Sequence, residues 1–133
     1  MENTKLLFVD RKDILEQKAF QENKLYVVLF VVGEEMPDRE LLEKVLMYRM
    51  PLLCFYGTHM QAWEDMADDI IVEKYMDVEP HMCTTVHDEF PEAVSFWHSY
   101  YDERDEAYDL VCALLSSEKD MKQKVLSMCV SRL

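Results

Sequence analysis

The sequence predicts a single three-layer α/β domain spanning 1–133: a mostly parallel, flavodoxin-like sheet of four to five strands with helices on both faces. Three observations predict it. Apolar runs of strand length alternate with longer stretches of helical period, the signature of successive βα units. One run, Leu25 to Val32, is continuously apolar and rich in β-branched and aromatic residues, as a strand buried on both faces must be. Only two glycines and four prolines occur in 133 residues, too few turn formers for an all-β chain.

Each element has a local reason. Leu6 to Val9 is a short strand closed by Asp10; the sheet has five strands if it pairs and four if it does not. Residues 11–22 carry Ile14, Leu15, Lys18 and Phe20, a weak helical stripe. Gly33 ends the Leu25–Val32 strand. Pro37 suits the first turn of a helix, the acids after it suit the helix dipole, and Leu41, Leu42, Val45 and Leu46 line one face. Pro51 blocks that helix, and Leu52 to Tyr56 follows as a strand ended by Gly57. Thr58 with Gln61 matches a capping box, opening a helix whose buried stripe is Ala62 or Trp63, Met66, Ala67 and Ile70. Met82 to Val86 reads as a strand. Phe90-Pro91 starts a helix with Val94, Trp97 and Tyr101 at helical spacing. Tyr108 to Leu115 is the last strand, and Ser117 with Asp120 caps a final helix carrying Met121, Val125, and Met128 or Cys129.

Several chemistries are excluded by what is missing. Phosphate-cradling loops need several glycines, so Gly33 and Gly57 alone admit neither a dinucleotide fingerprint nor a P-loop, and no cofactor is expected. The opening Leu-Leu-Phe-Val-Asp resembles the start of response-regulator receiver domains. That family needs an acceptor aspartate after its third strand and a lysine after its fifth, where this chain has Tyr56-Gly57 and Ser116-Ser117. There is no GxSxG elbow and no HExxH motif. A net charge of −13 argues against nucleic acid or an anionic membrane as partner. The N-terminus lacks the features of a signal peptide, and Cys54, Cys83, Cys112 and Cys129 follow no paired spacing. They read as reduced thiols of a cytoplasmic protein, mostly core residues.

Sites in open α/β sheets form at the carboxyl ends of strands. The polar residues expected there are Glu34, Glu35, Thr58, His59, His87, Asp88, Glu89, Ser116 and Ser117. His59, His87 and Glu89 could form a general acid–base pair across adjacent strand ends; alternatively Thr58, Asp88 and Ser117 are helix caps and the rest solvated loop. His81, Cys83 and His87 share one face of an extended strand and are metal-ligand types, but alternate residues lie ~7 Å apart, too far for three to reach one ion without a turn. No metal is assigned. Met66, Met121 and Met128 fall on predicted buried stripes, while Met47, Met50, Met60, Met76 and Met82 cluster near strand entries and helix ends, as core residues or as a soft binding surface.

The charge distribution is the most informative feature. Residues 60–109 hold fifteen acids against Lys74 and Arg104, a net −13, while the remaining residues carry twelve acids and twelve bases. Two patches dominate: Glu64, Asp65, Asp68, Asp69 and Glu73 on one helix, and Asp102, Glu103, Asp105 and Glu106 in a turn. Such a surface either solubilises the chain or steers it toward a basic partner. The second reading implies an acidic binding protein, an immunity protein or inhibitor that masks a basic toxin or nuclease, with Trp63 as hydrophobic anchor beside the patch or as core. The alternatives are a small enzyme using His59, His87 and Glu89, and a regulatory subunit without catalysis.

Cys54-Phe-Tyr-Gly57, Trp63-Glu-Asp-Met-Ala-Asp-Asp69 and Thr84-Thr-Val-His-Asp-Glu89 resemble an uncharacterised bacterial α/β domain family, to which no activity attaches. In size and charge the chain is also similar to immunity proteins of contact-dependent growth inhibition systems. That similarity implies the same class of partner, a basic toxin.

Overall fold

Residues Tyr26 to Val32 are all buried, and their side chains alternate between the two faces of one strand, β2 (Leu25–Gly33). Such a strand must be covered twice. The computed structural model, which describes residues 6–22, 24–77, 81–100, 109–115 and 120–130, shows how this is done. Strands β1 (Leu6–Asp10), β2, β3 (Arg49–Gly57), β4 (Cys83–Val86) and β5 (Asp109–Leu114) form one sheet in the order β1-β5-β2-β3-β4, with every pairing parallel. Leu6–Val9 therefore joins the sheet, giving five strands. Helices α1 (Arg11–Leu15), α2 (Arg39–Leu46) and α3 (Met60–Lys74) cover one face, and α4 (Phe90–Tyr100) and α5 (Met121–Val130) the other. This is the three-layer flavodoxin-like architecture predicted; its strand order, for which the sequence carries no signal, differs from the 2-1-3-4-5 of flavodoxin itself.

The core divides by residue parity. Val28, Phe30, Val32, Leu53, Phe55 and Val111 face α1–α3, while Val27, Leu29, Val31, Leu52, Cys54, Leu110 and Cys112 face α4 and α5. Phe30 stacks on Phe55 with centroids 4.9 Å apart, and Trp63 of α3 extends the stack. On the opposite face Trp97 of α4 donates its indole N–H to the Val27 carbonyl at 2.9 Å.

Three local expectations are corrected. Pro37 precedes α2 instead of lying in its first turn, because the Asp38 carboxylate accepts the Leu41 N–H and makes Asp38 the N-cap. Strand β3 begins at Arg49 and runs through Pro51, at a register irregularity between the Leu25–Arg49 and Val27–Leu52 pairs where a proline without N–H is tolerated. Thr58 and Gln61 form no capping box: His59 is the N-cap of α3 without a side-chain bond, and the Gln61 amide turns to Glu64 and Asp65. A capping box forms instead at Asp10 and Asp13, opening α1.

Both glycines of the chain sit at the carboxyl edge, paired in register between β2 and β3, with Thr58 N–H donating to the Gly33 carbonyl at 2.8 Å. Gly57 has φ +145, and a Cβ there would lie 2.6 Å from Val32 Cγ2 and 2.7 and 2.8 Å from Gly33 backbone atoms. Gly57→Ala is therefore expected to destabilise the domain by about 3 kcal/mol in urea titrations. Gly33, at φ 57, is in the left-handed region that asparagine adopts, and Gly33→Asn should cost less than about 1 kcal/mol. Equal costs at the two positions would show that the strand ends relax around a new side chain.

Candidate functional site

The carboxyl ends of β2 and β3 open into a cleft of about 670 Å³ between the first turns of α3 and α4 and helix α5. Glu34, Glu35 and Asp88 bring carboxylates to its rim, Lys124 brings an amine, and Tyr56 packs on Phe90 with ring centroids 5.3 Å apart. Arg11 pairs with both Glu35 and Asp38, tying the start of α1 to the β2–α2 connection. The Glu35 carbonyl accepts the Trp63 indole N–H at 2.9 Å.

The three residues expected to form an acid–base pair are not brought together. His59 is half-buried at the start of α3, and Glu89 is exposed. His87 is buried beneath α4. There Nδ1 lies 3.0 Å from Glu92 Oε1, Nε2 lies 2.9 Å from Thr85 Oγ1, and the ring packs against Phe96. A carboxylate can only accept, so Nδ1 carries the proton, and in the neutral ring Nε2 accepts from the threonine hydroxyl. Both nitrogens are thus used locally, and none of the three residues lines the cleft. Strand parity explains this: His87 follows Thr85 onto the α4 face, while His59 begins a helix on the α3 face.

The cysteines offer no nucleophile in the core. Burial pushes the Cys54 thiol up to about 12, against a weaker opposing effect of its hydrogen bond with Thr85, and burial also raises Cys112 far above the ordinary thiol range. Cys83 is exposed at the start of β4 while His87 points inward, and among the described residues no three His, Cys, Asp or Glu groups converge to hold a metal ion.

The acidic helix is displayed as a surface. Asp65, Asp68, Asp69 and Glu73 are exposed on α3, with Glu64 half-buried beside them. Asp68 accepts the Thr84 hydroxyl of β4 at 2.6 Å, and Glu73 pairs with Arg39 at 3.0 Å. Glu43 of α2 lies between Lys74 and Arg39; hydrogen bonds from the Lys74 amine and the Arg39 guanidinium hold its carboxyl below the usual range. Asp102, Glu103, Asp105 and Glu106 lie outside the described residues, as do Ser116 and Ser117.

Trp63 must be withdrawn from the contact surface. It is fully buried against Phe55, because the inward stripe of α3 falls on Trp63, Ala67 and Ile70 and leaves Ala62 outside. The exposed apolar residues near the acids are instead Val72 (62%) and Met76 (57%). Val72 was detectable in the sequence, since it falls off the Trp63–Ala67–Ile70 stripe. Of the methionines assigned to a soft surface, Met47 and Met76 are exposed, Met60 and Met82 are half-buried, and Met50 is core.

No protein-family model and no curated protein sequence matches the chain. Among the described residues no helix is long and apolar enough to cross a membrane.

The thiol environments yield a direct check. Under native conditions at pH 8, Cys83 should react with a chromogenic disulfide reagent while Cys54, Cys112 and Cys129, all buried, react only on unfolding. Rapid native labelling of more than one thiol would contradict the packing around β3 and β5.

Proposed function

We propose that the protein is an acidic binding protein that neutralises a basic toxin or nuclease by direct contact, in the manner of an immunity protein or inhibitor. The observation that carries the proposal is the outer face of α3, where exposed Asp65, Asp69 and Glu73 surround exposed Val72, with Met76 just beyond. Carboxylates at helical spacing repel one another by a few tenths of a kcal/mol per pair. Arg39 relieves Glu73 at the end of the helix, but Gln61 offers only an uncharged amide to Glu64 and Asp65. Apolar contact area ringed by charge is the composition of a binding surface with electrostatic steering. The similarity in size and charge to immunity proteins of contact-dependent growth inhibition systems supports the same class of partner. The enzymatic alternative loses its support because His87 is committed to Thr85 and Glu92.

Inhibition assays on small basic nucleases and toxins, with the protein in excess, are the first test, followed by association kinetics with the one that is inhibited. Asp65→Lys with Asp69→Lys is the informative variant, because Asp68 also holds Thr84 and its loss would disturb the fold. Association should slow by about tenfold or more, with dissociation little changed, and the wild-type rate should fall as salt rises. Inhibition that is insensitive to both changes would remove α3 from the interface.

A further inference from the structure

We propose that the outer edge of β4 is a docking strand that takes an extended, lysine- or arginine-bearing segment of the basic partner by strand addition. This rests on the basic-partner reading above and names the shape of what is bound. His87 N–H donates to the Phe55 carbonyl of β3 at 3.1 Å. Main-chain groups of alternate residues turn to opposite sides of a strand, so those of Thr84 and Val86 face away from β3. On that side no described strand pairs with β4, the last strand of the sheet. Natural edges are usually blunted by lysine, proline, a bulge or a cover. β4 reads Cys-Thr-Thr-Val and carries none of these residues.

Carboxylates stand on both sides of that edge. Asp68 of α3 reaches Thr84 on one face, and Glu92 of α4, 67% exposed, reaches His87 on the other. The flank of α4 that carries Glu92 and Phe96, both against His87, is grooved over about 510 Å³. Phe96 is 43% exposed there. Side chains of an added strand alternate between faces, so basic residues at successive positions would meet α3 acids and α4 acids in turn. The apolar stems of those residues would lie along Phe96. A second copy of this chain would bring the same acids against themselves, which disfavours self-pairing.

Amide hydrogen exchange and NMR shifts of the full chain, titrated with an end-blocked heptapeptide of successive lysine pairs separated by threonine, test the proposal. Exchange at the Thr84 and Val86 amides should slow by about tenfold or more. The same peptide with its pairing amides N-methylated keeps the charge but cannot pair, and it should give no protection; a glutamate–threonine peptide should not bind. Shifts confined to α3 without protection at Thr84 and Val86 would overturn strand addition while leaving the acidic face of α3 as a binding surface. Equal protection by the N-methylated peptide, or no binding of the lysine peptide at low salt, would overturn it as well. Protection that grows with protein concentration in the absence of peptide would assign the edge to a second copy and likewise overturn it.

Discussion

The double burial of β2 governs the rest of the molecule. Each fully buried aliphatic or aromatic side chain is worth about 1.5–3 kcal/mol. The run from Tyr26 to Val32 therefore contributes about as much as the whole net stability of a typical domain, about 5–15 kcal/mol, or more. No arrangement that leaves one face of this strand in water competes. The two tryptophans follow from the same constraint, since a buried indole N–H must find an acceptor. Trp97 finds the Val27 carbonyl near the start of β2, and Trp63 finds the Glu35 carbonyl just beyond its end. One strand and its exit thus hold a helix of each layer in place.

That arrangement also decides where the charge goes. The buried positions of α3 and α4 are taken by Trp63, Ala67, Ile70, Ala93, Val94, Trp97 and His98. The acids between them can only face outward. Arg39 joins Glu43 and Glu73, and Lys74 joins Glu43, so the junction of α2 with the end of α3 is balanced. Exposed pairs of this kind contribute about 0–1 kcal/mol each. They offset repulsion locally and do not explain an excess of thirteen negative charges, all of it within residues 60–109. An asymmetry that burdens folding and gains nothing in packing fits a surface shaped by what it meets.

Where pattern and burial coincide, the sequence was legible. Residue types alone placed β2, the apolar stripe of α2 and the alternation of strands and helices, because each reports solvent exclusion along a continuous stretch. Competition between neighbouring polar groups was not legible. Asp38 rather than Pro37 sets the start of α2, and Gln61 prefers two carboxylates to the Thr58 cap, choices made by energy differences of about 1 kcal/mol. Pro51 looked like a boundary and lies inside β3, since a register irregularity removes the demand for its N–H. Trp63 could be read as anchor or core from its neighbours; only the phase of the helix separates the two.

The fate of the histidines shows why a candidate site is harder to read than a fold. His59 and His87 both follow strands whose ends lie side by side, so proximity was a fair expectation. The chain leaves β3 toward one face and β4 toward the other, because α3 returns directly to the neighbouring strand while α4 carries the chain back across the sheet to β5. That long return turns His87 under α4 and commits it to Thr85 and Glu92. Among the described strands it also leaves β4 with a single partner, β3. Both outcomes are properties of the order in which strands are visited, which no local run of residues encodes. The β4 edge between Asp68 and Glu92 is therefore a feature that only the assembled topology discloses.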